Sequence, residues 1–220
     1  LQMDADRLED LDFRQSQALR KRAANLFVRA RDYGLQGLEV DHSGFAVLLR
    51  ADPKSAVLNL RKEQVPLMYW TAAAWAGAVN LSKENPYLIA EIPQLEALMD
   101  QALVLDPVWN DGAIHSFMIT YAMARQGMNS DPVEESKKHF EKALECSRGQ
   151  QVAPYVSYAE SVAVQEQDME LFESLLSQAL SIDTDEYLQY RLVNIIMQKR
   201  ARWLLERKDD LILPPLDAID

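Results

Sequence analysis

The chain has 220 residues, enough to bury a substantial core. Its 48% apolar content excludes global disorder, and scarce glycine (7) beside plentiful Ala and Leu favours helices over a turn-rich β architecture. A net charge of −11 excludes a nucleic-acid partner, because phosphates would be repelled over most of the surface; the acidity itself reads as solubility.

Apolar and small residues at helical spacing, among them Ala23, Phe27, Gly34 and Leu38, predict an amphipathic helix from about Phe13 to Glu39. Asp41-His42-Ser43-Gly44 breaks it, and Asp52-Pro53 opens a short helix with Asp52 as its cap. The longest apolar run, Leu67 to Val79, is interrupted only by Thr71; it is too short to span a bilayer and suits a buried helix ending near Leu81. Its partner is expected from about Pro93 to Leu105. Two further helix pairs are predicted, Gly112–Gln126 with Asp131–Cys146 and Pro154–Gln165 with Asp168–Ile182. A last helix, about Glu186 to Arg207, is expected to lay Leu188, Leu192, Ile195, Ile196, Ala201, Leu204 and Leu205 over the end of the stack. Leu211 to Pro215 cannot continue as helix and is expected to lie extended on a neighbour.

Three segments end alike: Leu98-Met99-Asp100-Gln101-Ala102-Leu103, His139-Phe140-Glu141-Lys142-Ala143-Leu144 and Leu175-Leu176-Ser177-Gln178-Ala179-Leu180. Their Ala residues lie 41 and 36 positions apart. A degenerate period in this range, with Ala three places after a bulky apolar residue, points to tetratricopeptide-like helix pairs, the Ala sitting where two helices approach closely. The expected architecture is one all-α domain over 1–220: N-terminal helices to residue 66, three helix pairs over 67–183, and a capping helix with tail over 184–220.

Such arrays bind other molecules and seldom do chemistry. Tyr69, Trp70 and Trp75 are the leading candidates for a ligand or partner surface, with core packing as the competing reading. Five residues place Trp70 and Trp75 about 140° apart around a helix, so one can face the core while the other lines a cavity. Trp109 falls in the break Asp106 to Gly112, where it either meets a partner or plugs an inter-repeat junction. Asn194 and Arg200, on the last helix, either bind a carboxylate or belong to a solvated polar face.

His42, His115 and His139 lack helical zinc spacing. No Cys-x-x-Cys, Gly-rich phosphate loop or Gly-x-Ser-x-Gly elbow is present, so neither a metal, a cofactor nor catalysis is expected. The single Cys146 cannot form an internal disulfide and reads as a small packing residue. The chain opens at Leu1 without an initiator Met, from which removal of a leader or anchor is expected.

Tyr69-Trp70-Thr71-Ala72-Ala73-Ala74-Trp75 comes first in an ordered series that continues with Leu95 to Met99 and Ala102 to Pro107. Ala143-Leu144-Glu145, Gln167 to Phe172, Leu192-Val193-Asn194 and Arg200-Ala201 follow. This series resembles the T component (TatT family) of tripartite ATP-independent periplasmic (TRAP) transporters. The resemblance implies a tetratricopeptide-type fold and a non-enzymatic periplasmic lipoprotein that forms a homotrimer. It further implies a partnership with the substrate-binding P component of the transporter, and a channel for a small hydrophobic or carboxylate ligand. Attachment to the membrane would be only through a lipid anchor outside the chain. The repeats lack the consensus Trp-Leu-Gly of the first tetratricopeptide helix, and the alternative reading is a generic repeat scaffold that binds an extended peptide.

Overall fold

The structure, a computed structural model, describes residues 1–127 and 130–213; helices dominate, and no β-strand occurs among these residues. Of the expected extended tail, Leu211 closes a helix and Ile212 is buried, while Pro214 and Pro215 lie outside the described residues. The chain gathers into two compact units, Leu1–Pro107 and Val108–Asp220.

The first unit contains α1 (Gln2–Leu8), α2 (Phe13–Asp41), α3 (Phe45–Ala51), α4 (Pro53–Val57), α5 (Val65–Asn80), α6 (Pro86–Ile89) and α7 (Ile92–Leu105). Local chemistry sets several of the starts. The Asp12 carboxylate accepts from Gln15 N at 3.0 Å, and Asp52 accepts from Ser55 N at 3.2 Å with Pro53 in the first turn. Ahead of α3 stands Gly44, at φ +80°, with no capping side chain of its own. Glu39 supplies the cap from α2, accepting from Ala46 N at 2.6 Å and Gly44 N at 2.8 Å. These backbone donors hold its carboxyl below the usual range.

Helices α2 and α5 run antiparallel. Phe27 meets Gly77, Arg31 covers Trp75, Gly34 meets Thr71 and Gly37 meets Leu67, so numbers rise on one helix as they fall on the other. The absence of side chains at Gly34, Gly37 and Gly77 permits this approach: a Cβ at Gly34 would lie 2.0 Å from Thr71 Oγ1. The sequence reading pairs α5 with α7 alone. In the structure α5 packs against both α2 and α7.

The second unit contains α8 (Trp109–Ala124), α9 (Pro132–Ser147), α10 (Ala153–Tyr158), a π-helical turn at Ala159–Ala163, α11 (Met169–Ser181), α12 (Arg191–Glu206) and α13 (Lys208–Leu211). Asp131 caps α9, and Asp168, at the start of the third predicted pair's second helix, caps α11; each accepts a backbone N–H at 2.9 Å. Helices α8 and α9 form an antiparallel hairpin, with Gly112 against Cys146, His115 against His139, and Ser136 Oγ donating to Ile119 O at 2.8 Å. Phe172, Leu176, Ile119, Val156, Ala201 and Leu204 lie in one buried cluster. The repeated Ala102, Ala143 and Ala179 are all fully buried, as their role at close helix contacts requires.

Helix α12 departs from expectation. Ala201 and Leu204 enter the core, but Leu188, Leu192 and Ile196 stay exposed, at 70%, 71% and 41%. The reason is polar: towards its N-terminus α12 is held through buried Asn194 and Gln198, whose amides bind the backbone of neighbouring segments, rather than through an apolar stripe.

Candidate functional site

In the first unit a cleft of about 70 Å³ opens among α2, α3, α5 and the start of α7. Helix α2 contributes Arg31, Asp32 and Leu35, α3 contributes Leu49 and Arg50, α5 contributes Trp75, and Glu91 with Gln94 come from the head of α7. The centre is a closed set of contacts around Arg31. Its Nε donates to Asp32 Oδ1 at 2.9 Å, and its Nη1 to Glu91 Oε2 at 2.8 Å. The guanidinium also lies 5.0 Å from the Trp75 ring centroid, and Trp75 Nε1 donates to the same Glu91 Oε2 at 3.1 Å. A mostly buried cation is thereby matched by two carboxylates and an aromatic face, which keeps the cluster rigid.

Two groups of the cleft remain unengaged. Gln94 is only 8% exposed, yet its Oε1 has no hydrogen-bond partner. Arg50 is exposed on α3 and makes no ion pair or hydrogen bond through its side chain among the described residues.

The sequence-predicted residues disperse. Trp75 is 4% exposed and lines the cleft, whereas Trp70, on the other side of α5, is 61% exposed; the split expected from their spacing is observed. Tyr69 stacks edge-on against Trp70, with centroids 5.0 Å apart at 76°, and burial pushes its hydroxyl up to about 12. Trp109 is half-buried at the head of α8, before three residues of positive φ: Asn110 at 47°, Asp111 at 53° and Gly112 at 85°. Only glycine suits the last position, because a Cβ there would also come within 2.8 Å of Cys146 Cβ. Asp111 Oδ2 accepts from Tyr190 Oη at 2.6 Å and ties this turn to the segment before α12.

Asn194 is fully buried: its Oδ1 accepts from Val152 N at 3.0 Å and its Nδ2 donates to Gln150 O at 2.9 Å. Arg200 forms an ion pair with Glu160 and lies 4.2 Å from the Trp203 centroid. Both are thus engaged by other residues of the second unit.

Sequence reasoning missed residues in each unit. Arg31 and Asp32 sit in a run of charged residues indistinguishable from a solvated helix face. His115 and His139, 24 residues apart, meet with their Nδ1 atoms 2.8 Å apart; a signal for them existed in the predicted hairpin, whose register brings these positions opposite each other. Among the described residues no cluster of His, Cys, Asp and Glu is suited to a metal ion, and no helix is long and apolar enough to cross a membrane.

Comparison with known proteins adds a family. The family model described as TRAP transporter T-component matches residues 1–212. An uncharacterized protein of Treponema pallidum (strain Nichols) is similar at 23% identity over 217 residues, an alignment covering 97% of this chain and 67% of that protein.

Proposed function

We propose a function on one premise: this chain belongs to the TRAP transporter T-component family. Membership makes it an accessory component of a TRAP transporter on the periplasmic side, in association with other components of that system. Within that frame, its role is to bind the periplasmic solute-binding protein (the P component) and to hold a small hydrophobic or carboxylate ligand in the Trp75 cleft. No catalytic step is part of this reading. The observation that carries it is the match over nearly the whole chain, set beside a cleft whose polar lining is left partly unengaged.

Exposed apolar side chains support the partner half of the reading. Leu188, Leu192 and Ile196 follow one another at four-residue spacing on the surface of the second unit, and Trp70 is exposed on the first. Solvated apolar stripes of this kind are what protein partners cover. A periplasmic location, a lipid anchor and association as a homotrimer complete the proposal and rest on family membership alone.

Co-purification of the chain with its cognate solute-binding protein tests the proposal. A complex that survives gel filtration is expected. Absence of any complex at concentrations of about 50 μM, at which a pair of micromolar affinity is mostly assembled, overturns it.

A further inference from the structure

We infer that the Trp75 cleft is a binding site for a small zwitterionic α-amino acid. The inference rests on reading this cleft as a ligand site, and not on the identity of the protein partner. Two unengaged side chains and the second oxygens of two carboxylates carry it. On the donor side, Arg50 presents an unpaired guanidinium among the described residues. The Gln94 side chain, more than nine-tenths buried, makes no hydrogen bond among the described residues; since its Oε1 is fully out of solvent, its Nε2 is the amide atom left to meet the cleft. Two N–H donor groups, one of them charged, suit a carboxylate.

On the acceptor side, both contacts of Asp32 run through Oδ1 and both of Glu91 through Oε2. Asp32 Oδ2 and Glu91 Oε1 are therefore left with no hydrogen bond among the described residues. Arg31 reaches the other oxygen of each, with Nε and Nη2 on Asp32 Oδ1 and Nη1 on Glu91 Oε2. These two oxygens suit an ammonium group. Charge agrees: Arg31, Arg50, Asp32 and Glu91 sum to zero, so a neutral zwitterion leaves the cleft balanced, whereas a simple anion or cation would not. Size sets a limit as well. A cleft of about 70 Å³ has room for about five waters, which corresponds to an amino acid with a very small side chain lying against Trp75.

Isothermal titration of the whole chain with alanine tests the inference, with lactate and alaninamide as comparators. Lactate replaces the ammonium by a hydroxyl, and alaninamide removes the carboxylate charge. Saturable alanine binding is expected, with each comparator at least about tenfold weaker, as removal of one charge-assisted contact predicts. Arg50→Met and Asp32→Asn should each weaken alanine by a similar factor, and Arg50→Met should leave the melting temperature unchanged, since that side chain is exposed and has no ion pair among the described residues. No heat with alanine at millimolar concentration overturns the inference, as does equal binding of lactate or undiminished binding to both variants. A chain that captures the solute-binding protein yet ignores alanine overturns the amino-acid site and leaves the proposed function standing. Alanine binding without capture of that protein does the reverse.

Discussion

Nδ1 of His115 lies 2.8 Å from Nδ1 of His139, so within the α8–α9 hairpin one imidazole must accept the proton that the other donates. That arrangement needs at least one neutral ring. Burial, with His139 and Lys142 nearby, pushes the His115 imidazole down to about 4, against only a small opposing effect of Glu145.

The consequence is a stability that depends on acidity. In the unfolded chain His115 takes up a proton near its ordinary 6.5, whereas in the folded chain it resists protonation until about 4. The unfolded state therefore binds more protons between these values, and stability falls as pH is lowered through that window. The loss attributable to this ring is roughly 1–3 kcal/mol. Urea denaturation at pH 7 and pH 4.5 measures the total change, and His115→Gln isolates the share due to His115. An unchanged pH dependence in the variant would show that the pair contributes nothing.

A second prediction concerns the seam between α2 and α5. Gly34→Ala places a methyl 2.9 Å from Thr71 Cβ, an atom fixed to the α5 backbone, so the helices must separate. Overpacking of this sort costs about 1–3 kcal/mol, more than the roughly 1 kcal/mol that Ala gains over Gly in helix propensity. Gly37→Ala is the control. Its new methyl meets the flexible end of Leu67 at 2.9 Å, which can turn aside. Chemical denaturation should rank Gly34→Ala well below Gly37→Ala, and equal stabilities would contradict the seam.

These cases also mark what the sequence could disclose. Capping residues such as Asp52, Asp131 and Asp168, and the small Ala102, Ala143 and Ala179, work through neighbours a few positions away or through a steric need common to all helix pairs; both leave a local imprint. The 140° argument separated Trp70 from Trp75 because it depends on helix geometry alone. The Arg31 cluster left no such imprint. It joins Asp32 to Glu91 and Trp75 across three helices, and nothing in the local pattern distinguishes that arginine from a solvated one. Asn194 shows the same limit from the other side: its place on a helix is equally compatible with a carboxylate site or a solvated face, and the partners that bury it, Val152 and Gln150, lie more than forty residues away.

Asn194 gives the third prediction. Removing its amide with Asn194→Ala leaves the buried Val152 N–H and the Gln150 carbonyl without partners. Unsatisfied buried backbone groups cost about 1–3 kcal/mol each, and the vacated volume adds to that. A loss of about 3 kcal/mol or more in denaturant stability is expected. Arg200→Ala, which breaks a partly exposed ion pair with Glu160, should cost only about 1 kcal/mol. A reversal of that order would mean that the clamp on the segment before α10 does not hold the second unit together.

The last prediction turns to the surface of α12. Leu192 and Ile196 are exposed, so Leu192→Asp combined with Ile196→Asp removes no core contact, and stability should stay within about 0.5 kcal/mol of the starting protein. Two carboxylates in the middle of an apolar stripe would, however, have to be desolvated when a partner covers it, which weakens a complex by at least about tenfold. The measurement is the affinity for the solute-binding protein, with circular dichroism confirming an unchanged fold. Full affinity in the double variant would remove this stripe from the interface and leave the exposed Trp70 as the surface to examine next, since it sits on the first unit and is untouched by either substitution.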